Sequence, residues 1–359
     1  MNAMIIAARR TAVVPRGGAF ARLSIEDLAA PVIAALLADA GLDAVAVDEV
    51  IVSNALGAGG NPARRVALAA GLPERVAGLS LDRQCAGGLD AVLLARALVD
   101  SGAAKVVIAG GVESYSRRPL RFATDPDGGA AIPYDQPPFT PWPDRDPDMS
   151  QAAEALALRL QISRAEQDAW AVDSHRKAKG LPLAEIVPLA GQAHDAFARD
   201  LTPVLAARAK PIAGSITAAN AAVAADAAAF VVVVAADLAR GQGLRIVGGA
   251  TLGADPVEPG LAPVPAIRQV LARAGIAPSD LARAEVMEAY AVQAMACVRA
   301  AGLDPARINP EGGALARGHP IGASGALLAV RLFHGLQQGY GLAAIAAAGG
   351  IGTALLLRR

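Results

Sequence analysis

An α/β protein built from two copies of one unit is what the sequence predicts, and three observations predict it. Apolar-periodic helices alternate with short β-branched strands. The alternation occurs twice, in the same order, with glycines at matching places. Between the copies lies a stretch of different character, dense in Pro, Asp and Arg.

In the first copy, Leu28, Val32, Ile33, Leu36 and Leu37 recur at helical spacing, then Ala40-Gly41 leads to a strand at Glu49-Val50-Ile51-Val52. Gly88 and Gly102 bracket a second helix, LDAVLLARALVDS, which runs into the strand Val106-Val107-Ile108-Ala109 and ends on Gly110-Gly111. The second copy repeats each step. Ile267, Val270 and Leu271 mark a helix, followed by Ala274-Gly275 and the strand Glu285-Val286-Met287. Gly325 and Gly339 bracket ALLAVRLFHGLQQ, and a strand from Ala343 reaches Gly349-Gly350. Two matches in one order point to internal duplication.

Residues 117–147, with Pro119, Pro126, Pro133, Pro137, Pro138, Pro141, Pro143 and Pro147, read as irregular loop. A helical stretch over 150–178 follows, with Ser163 as an N-cap and Glu166 completing a capping box. The insertion ends near Pro211, and the apolar run Ala228 to Ala235 returns to the first core as a strand.

Composition narrows the function. Lys+Arg and Asp+Glu are equal at 33 each, so no bulk charge draws the chain to nucleic acid or anionic lipid. Cys85 and Cys297 cannot make a disulfide framework and lack metal-site spacing, as do the histidines at 175, 194, 319 and 334. Met1 to Thr11 places arginines after its short apolar run, the wrong order for a secretory signal. The longest uncharged stretch, Gly341 to Leu357, is glycine-interrupted and shorter than the roughly 20 residues a membrane helix needs. A soluble protein of the reducing cytoplasm is expected, without a metal or a membrane contact.

Cys85 lies in Asp82-Arg83-Gln84-Cys85-Ala86-Gly87-Gly88, directly before the first repeated helix. A thiol there feels unpaired N–H groups and the positive dipole end, which favour thiolate. The position fits equally a buried, inert cysteine packing as a small hydrophobe. His319 lies in Gly318-His319-Pro320-Ile321-Gly322-Ala323-Ser324-Gly325, before the second repeated helix. Matching corners of a pseudo-twofold pair can meet at the centre, so a Cys85–His319 pair is geometrically plausible. Such a histidine deprotonates the thiol or donates to an oxyanion.

The N-terminal Ala7-Ala8-Arg9-Arg10-Thr11, Asn61-Pro62-Ala63-Arg64, the Cys85 loop, Gly110-Gly111-Val112-Glu113-Ser114, Glu288-Ala289-Tyr290, the Gly-His-Pro loop and the terminal Gly349-Gly350-Ile351-Gly352 occur in one order from end to end. In these motifs the chain resembles the thiolase family over essentially its whole length. The resemblance implies a five-layer αβαβα fold from two duplicated halves with an inserted loop domain. The expected division is residues 1–117 with 214–245 for the first half, 118–213 for the insertion and 246–359 for the second half. It implies acyl transfer between coenzyme A thioesters, with no permanently bound cofactor, by a homodimer or homotetramer. Cys85 is then the nucleophile and His319 its activator, with the backbone N–H groups of Cys85 and Ala348 forming an oxyanion hole. Met149, Arg199, Ala218, Ala222, Val223, Ala289 and Tyr290 are the implied substrate and coenzyme A contacts.

The chain departs from the pattern where carbon–carbon chemistry is done. Ala346 stands where the family has a second cysteine that moves the α-proton. Met287 stands where Asn or His holds an oxyanion-hole water, and a thioether cannot donate to it. Cys297, about two helical turns beyond that motif, reads as a packed helical cysteine. In the loop Thr217 to Val223, Ala219, Ala222 and Val223 replace Gly, Ser and Gly. Acylating Cys85 is expected to survive these changes. Three outcomes follow: a full acyl-CoA C-acyltransferase, an acyl-enzyme thioesterase or transacylase, or a silent coenzyme A-binding subunit.

Overall fold

The computed structural model describes residues 3–359. Met1 and Asn2, which open the N-terminal run discussed above, lie outside the described residues. Strands β1 (Ala3–Thr11), β2 (Glu49–Ser53), β3 (Leu79–Leu81), β4 (Val106–Glu113) and β5 (Ala225–Ala235) lie in the spatial order β1-β5-β4-β2-β3. Strands β6 (Leu244–Gly253), β7 (Leu281–Val286), β8 (Tyr340–Ala347) and β9 (Ile351–Arg358) lie in the order β6-β9-β8-β7. Among these nine strands the orders match strand for strand except for β3, which has no counterpart, and the short strands Val14–Pro15 and Ile186–Val187 add to the first half alone. The senses match too: β2 with β4 and β7 with β8 are parallel, the other matched neighbours antiparallel. β1 and β6 meet edge to edge through Met4–Arg245 and Ile5–Leu244. The two half-sheets are therefore one continuous sheet.

The strands' two-residue side-chain period separates three cores. Helices α1 (Ile25–Ala40) and α2 (Pro62–Ala69) cover the outer face of the first half-sheet, where Leu28, Ile33 and Val66 pack on Ile108 and Val232. Helix α3 (Gly87–Asp100), the insertion's α4 (Met149–Leu160) and α5 (Arg164–Ala178), then α6 (Pro263–Ala274), α7 (Ala291–Ala301) and α8 (Ile321–Gly335) complete the long helices. α6 and α7 cover the second half-sheet, with Ile267 and Val298 against Ala344 and Leu356. Between the half-sheets, Leu89 and Val92 of α3 and Leu328 and Leu332 of α8 share one core with Ile5, Val231, Ile345 and Leu355. The layers are α, β, α, β, α.

The punctuating glycines have physical jobs. Gly41 and Gly275 cap α1 and α6 in left-handed conformation, at φ 61° and 67°. Gly88 and Gly325, equivalent in the two copies, let α3 and α8 touch backbone to backbone. A Cβ on Gly88 would sit 2.6 Å from the Ala326 nitrogen, and one on Gly325 would sit 2.4 Å from the Leu89 nitrogen. Gly88→Ala is expected to lower stability by about 1–3 kcal/mol through overpacking. Denaturant unfolding checks this, and an unchanged midpoint contradicts it.

Two elements differ from expectation. α8 begins at Ile321, so Gly322, Ala323 and Ser324 form its first turn and not a loop. Residues 117–147 are irregular except for a short exposed hairpin of Arg121–Ala123 with Ile132–Tyr134 and a 3-10 turn at Pro143–Arg145. Ser163 and Glu166 make the expected capping box at α5. The insertion is anchored by charge: Arg10 of β1, fully buried, pairs with Asp195 at 2.6 Å, and Arg317 of the second half pairs with the same carboxylate at 3.0 Å. No helix among the described residues is long and apolar enough to cross a membrane.

Candidate active site

The loops entering α3 and α8 converge at the centre of the molecule. Cys85 sits in a 3-10 turn, Gln84–Ala86, that runs directly into α3. Gln84 takes a positive φ of 48°, rare for a side-chain-bearing residue, with its N–H held by Asp82 Oδ1 at 2.8 Å. From the other half, His319 Nε2 lies 3.1 Å from Cys85 Sγ. The duplication therefore delivers the Cys–His pair.

The protonation of His319 follows from its neighbour. The single Ser324 hydroxyl proton goes to the Pro320 carbonyl at 3.0 Å. The 2.6 Å contact between His319 Nδ1 and Ser324 Oγ must then be donated by Nδ1–H. That leaves Nε2 as an acceptor facing the thiol. Burial lowers the His319 pKa from 6.5 to about 4, so the ring is neutral at physiological pH.

The thiol corrects the sequence reading. Burial pushes Cys85 up to about 12, against the N–H groups of Cys85 and Ala348, which draw it down, while Glu113 and Asp82 raise it further. Desolvation outweighs the helix start, so the resting pair is thiol and imidazole and not thiolate. The acylation of Cys85 that the family resemblance implies should accordingly stay level from about pH 5 to 8 and fall only as pH drops toward 4 and His319 protonates. Single-turnover acylation followed by mass across that range checks this. A fall centred near 6.5 contradicts it.

A cavity of about 390 Å³ opens on this pair. Of the residues expected there, Cys85, His319, Ala346, Ala348, Met149, Ala222, Ala289 and Tyr290 line it. Ala346, on β8, lines the cavity at the place where the family resemblance implies an acid/base cysteine. The Tyr290 hydroxyl lies 3.3 Å from Ser150 Oγ.

Others lie elsewhere. Met287 is buried in the central core and does not line the cavity, so it presents nothing to a substrate carbonyl. Ala218 and Arg199 are exposed, the latter with its guanidinium 4.1 Å from the Phe197 ring centroid. Val223 holds the histidine loop, its carbonyl accepting His319 N–H at 2.7 Å. Cys297 is fully buried in the core under α7, away from the cavity, and burial pushes its thiol up to about 12.

Three polar side chains that the sequence reading left without a role fix the site. Ser324 sets the His319 tautomer. Glu113, at the end of β4, accepts from Asn54 Nδ2 at 2.7 Å, Ala55 N at 3.0 Å and Gly322 N at 2.9 Å, tying the first half to the start of α8. Burial raises its carboxyl to about 7 despite those N–H donors. Glu288 accepts from Trp170 Nε1, Ser174 Oγ and Asn309 Nδ2 at 2.8–3.1 Å, binding α5 to the second half. Buried carboxylates inside glycine-rich or aromatic motifs are the sequence signal for such ties. Ser324→Ala should slow acylation about tenfold, the worth of one lost orienting hydrogen bond, and lower the pH at which the rate falls, because the lost acceptor stabilises the imidazolium more than the neutral ring. An unchanged rate and pH profile contradict the tautomer assignment.

The thiolase N-terminal domain model matches residues 3–237, and the thiolase C-terminal domain model matches residues 242–359. The chain belongs to the thiolase family. This thiolase is 41% identical to the putative acetyl-CoA C-acetyltransferase YhfS of Bacillus subtilis, over 99% of each chain. It is 35% identical to the putative acetyl-CoA C-acetyltransferase VraB of Staphylococcus aureus, over 100% of this chain and 99% of the relative. Among solved structures, the Acat5 thiolase of Ascaris suum in complex with coenzyme A superposes with a TM-score of 0.92 at 29% identity, covering 100% of both chains. The acetyl-CoA acetyltransferase of Bacillus anthracis gives 0.91 at 33% identity, covering 99% and 98%. The activity that goes with membership is acyl transfer, with coenzyme A thioesters as substrates.

Proposed function

We propose that this thiolase carries acyl groups on Cys85, with His319 moving the proton. The observation that carries the reading is the 3.1 Å Nε2–Sγ contact at the wall of the cavity, with the Cys85 and Ala348 N–H groups directed at the sulfur. Cys85 Sγ attacks the thioester carbonyl while its proton passes to His319 Nε2. The carbonyl oxygen becomes an oxyanion facing those two N–H groups. When the carbon–sulfur bond to coenzyme A breaks, His319 returns the proton to the leaving thiolate. A second thiol then takes the acyl group by the reverse steps.

Acylation needs only these groups, whereas carbon–carbon bond formation or cleavage also needs a proton on or off the acetyl α-carbon. Ala346 supplies no acid or base and Met287 no donor, so we infer that this second step is the slow one. The test pairs two readings on one sample: acyl-adduct formation by intact mass, and α-proton exchange of acetyl-CoA in deuterated water. Fast adduct formation with slow exchange is expected. Exchange keeping pace with acylation would show that another group does the work of the missing cysteine. The family match gives no support to a silent subunit, and no feature of the cavity favours hydrolysis over transfer to a thiol.

The same reading includes a cytoplasmic homodimer or homotetramer and the division at 117/118, 213/214 and 245/246. The matching strand orders support that division. Exposed Leu79 on the short edge strand β3 and exposed Leu120, Phe122 and Ile132 around the hairpin suit self-association. Light scattering after size exclusion checks it, and a monomer contradicts it.

A further inference from the structure

Resting on the acyl-Cys85 reading, we propose that the cavity binds the anionic tail of an ω-carboxyacyl group through Arg121 and Arg118, so that dicarboxylic acyl thioesters are the preferred substrates. Both guanidinium side chains line the cavity that holds Cys85, on the segment that enters the exposed hairpin. Arg121 is half-buried, and only its Nη2 is used, donating to the Leu56 carbonyl at 2.7 Å and to the Ala55 carbonyl at 3.4 Å. Among the described residues it has no carboxylate partner, and its Nε and Nη1 have no protein acceptor. Arg118, 4.9 Å over the Tyr115 ring, is 14% exposed, and its partner Asp135 is 81% exposed, so that pair is open to exchange for another carboxylate.

The other acids on the cavity wall are committed. Asp148 caps α4, accepting from Ser150 N at 2.8 Å and Gln151 N at 3.1 Å, and Glu258 pairs with Arg159. The remaining wall is largely apolar, with Leu56, Leu156 and Ile321 among its residues. A largely apolar cavity with a guanidinium bearing free donors on its wall fits a carbon chain ending in a carboxylate, and the guanidinium fork can meet it with two parallel hydrogen bonds.

Single-turnover acylation of Cys85 by adipoyl- and hexanoyl-N-acetylcysteamine thioesters tests the inference. These probes have equal carbon chains and no phosphates, so the tail carboxylate is their only anion. The protein should take the adipoyl group roughly 10- to 100-fold faster than the hexanoyl group, the worth of a charge-assisted contact. Arg121→Gln should bring that ratio toward one, Arg118→Gln should lower it, and Arg121→Lys should keep part of it. The hexanoyl rate of each variant reports whether its site is folded. A ratio at or below one in the unaltered protein, or a ratio that Arg121→Gln leaves unmoved, overturns the inference. If Arg121→Gln instead weakens coenzyme A thioesters of both tails alike and leaves the short-thioester ratio unchanged, the guanidinium serves coenzyme A phosphates, which also overturns it. Absence of any acyl adduct from any probe sinks the acyl-Cys85 reading itself.

Discussion

With His319 replaced by Ala, acylation of Cys85 by acetyl-CoA falls roughly 10²–10⁴-fold at neutral pH. The size follows from the resting state of the pair. A thiol pushed up to about 12 is ionised in only about one molecule in 10⁵ at pH 7, so it reacts only if a base takes its proton during attack. The acceptor within reach is His319 Nε2, 3.1 Å away; burial keeps the ring neutral, and Nδ1–H donation to Ser324 selects the tautomer that leaves Nε2 bare. Raising the pH should partly rescue His319→Ala, because hydroxide then supplies the thiolate. The unaltered protein should show no such rise between pH 7 and 9. A loss of less than about threefold in the variant, or no rescue by alkali, contradicts the base assignment.

Ala346→Cys is the second large effect, and it is a gain. The methyl of Ala346 lines the same cavity as Cys85 and is 8% exposed, so a sulfur added there projects toward bound substrate. Exchange of the acetyl-CoA α-proton into deuterated water should rise roughly 10²–10⁴-fold, the usual worth of a positioned acid or base. Acylation of Cys85 should change little, since it uses neither that position nor its proton. The neighbouring walls, Ala289 and Ala347, are small and leave room for the thiol. Unchanged exchange in a folded variant that still acylates would mean that Met287, buried in the core and offering no donor, limits the step instead.

Much of this was legible in the residues. The duplication showed because each copy needs the same left-handed caps, Gly41 and Gly275, and the same bare backbone contact, Gly88 against Gly325. The Cys85–His319 meeting followed from that symmetry. The charge state of Cys85 was not legible, because a helix start is local in sequence while desolvation comes from residues far along the chain. Ser324 was hidden by the helix beginning at Ile321, which puts its hydroxyl one turn from the Pro320 carbonyl. Arg199 and Ala218 could be placed on no surface by pattern alone, and the structure sets both outside the cavity. Arg118 and Arg121 were missed because proline density marks loop and says nothing of which side chains a loop turns inward.

On the reading proposed above, Cys85 carries the acyl group. Peptide-level mass analysis after a quenched reaction with acetyl-CoA tests it most directly. A 42 Da increment, the mass of one acetyl group in place of hydrogen, confined to the peptide holding Cys85, lost in Cys85→Ala and discharged by added coenzyme A, is the expected result. The increment on the Cys297 peptide, or full acyl transfer by Cys85→Ala, would contradict the account.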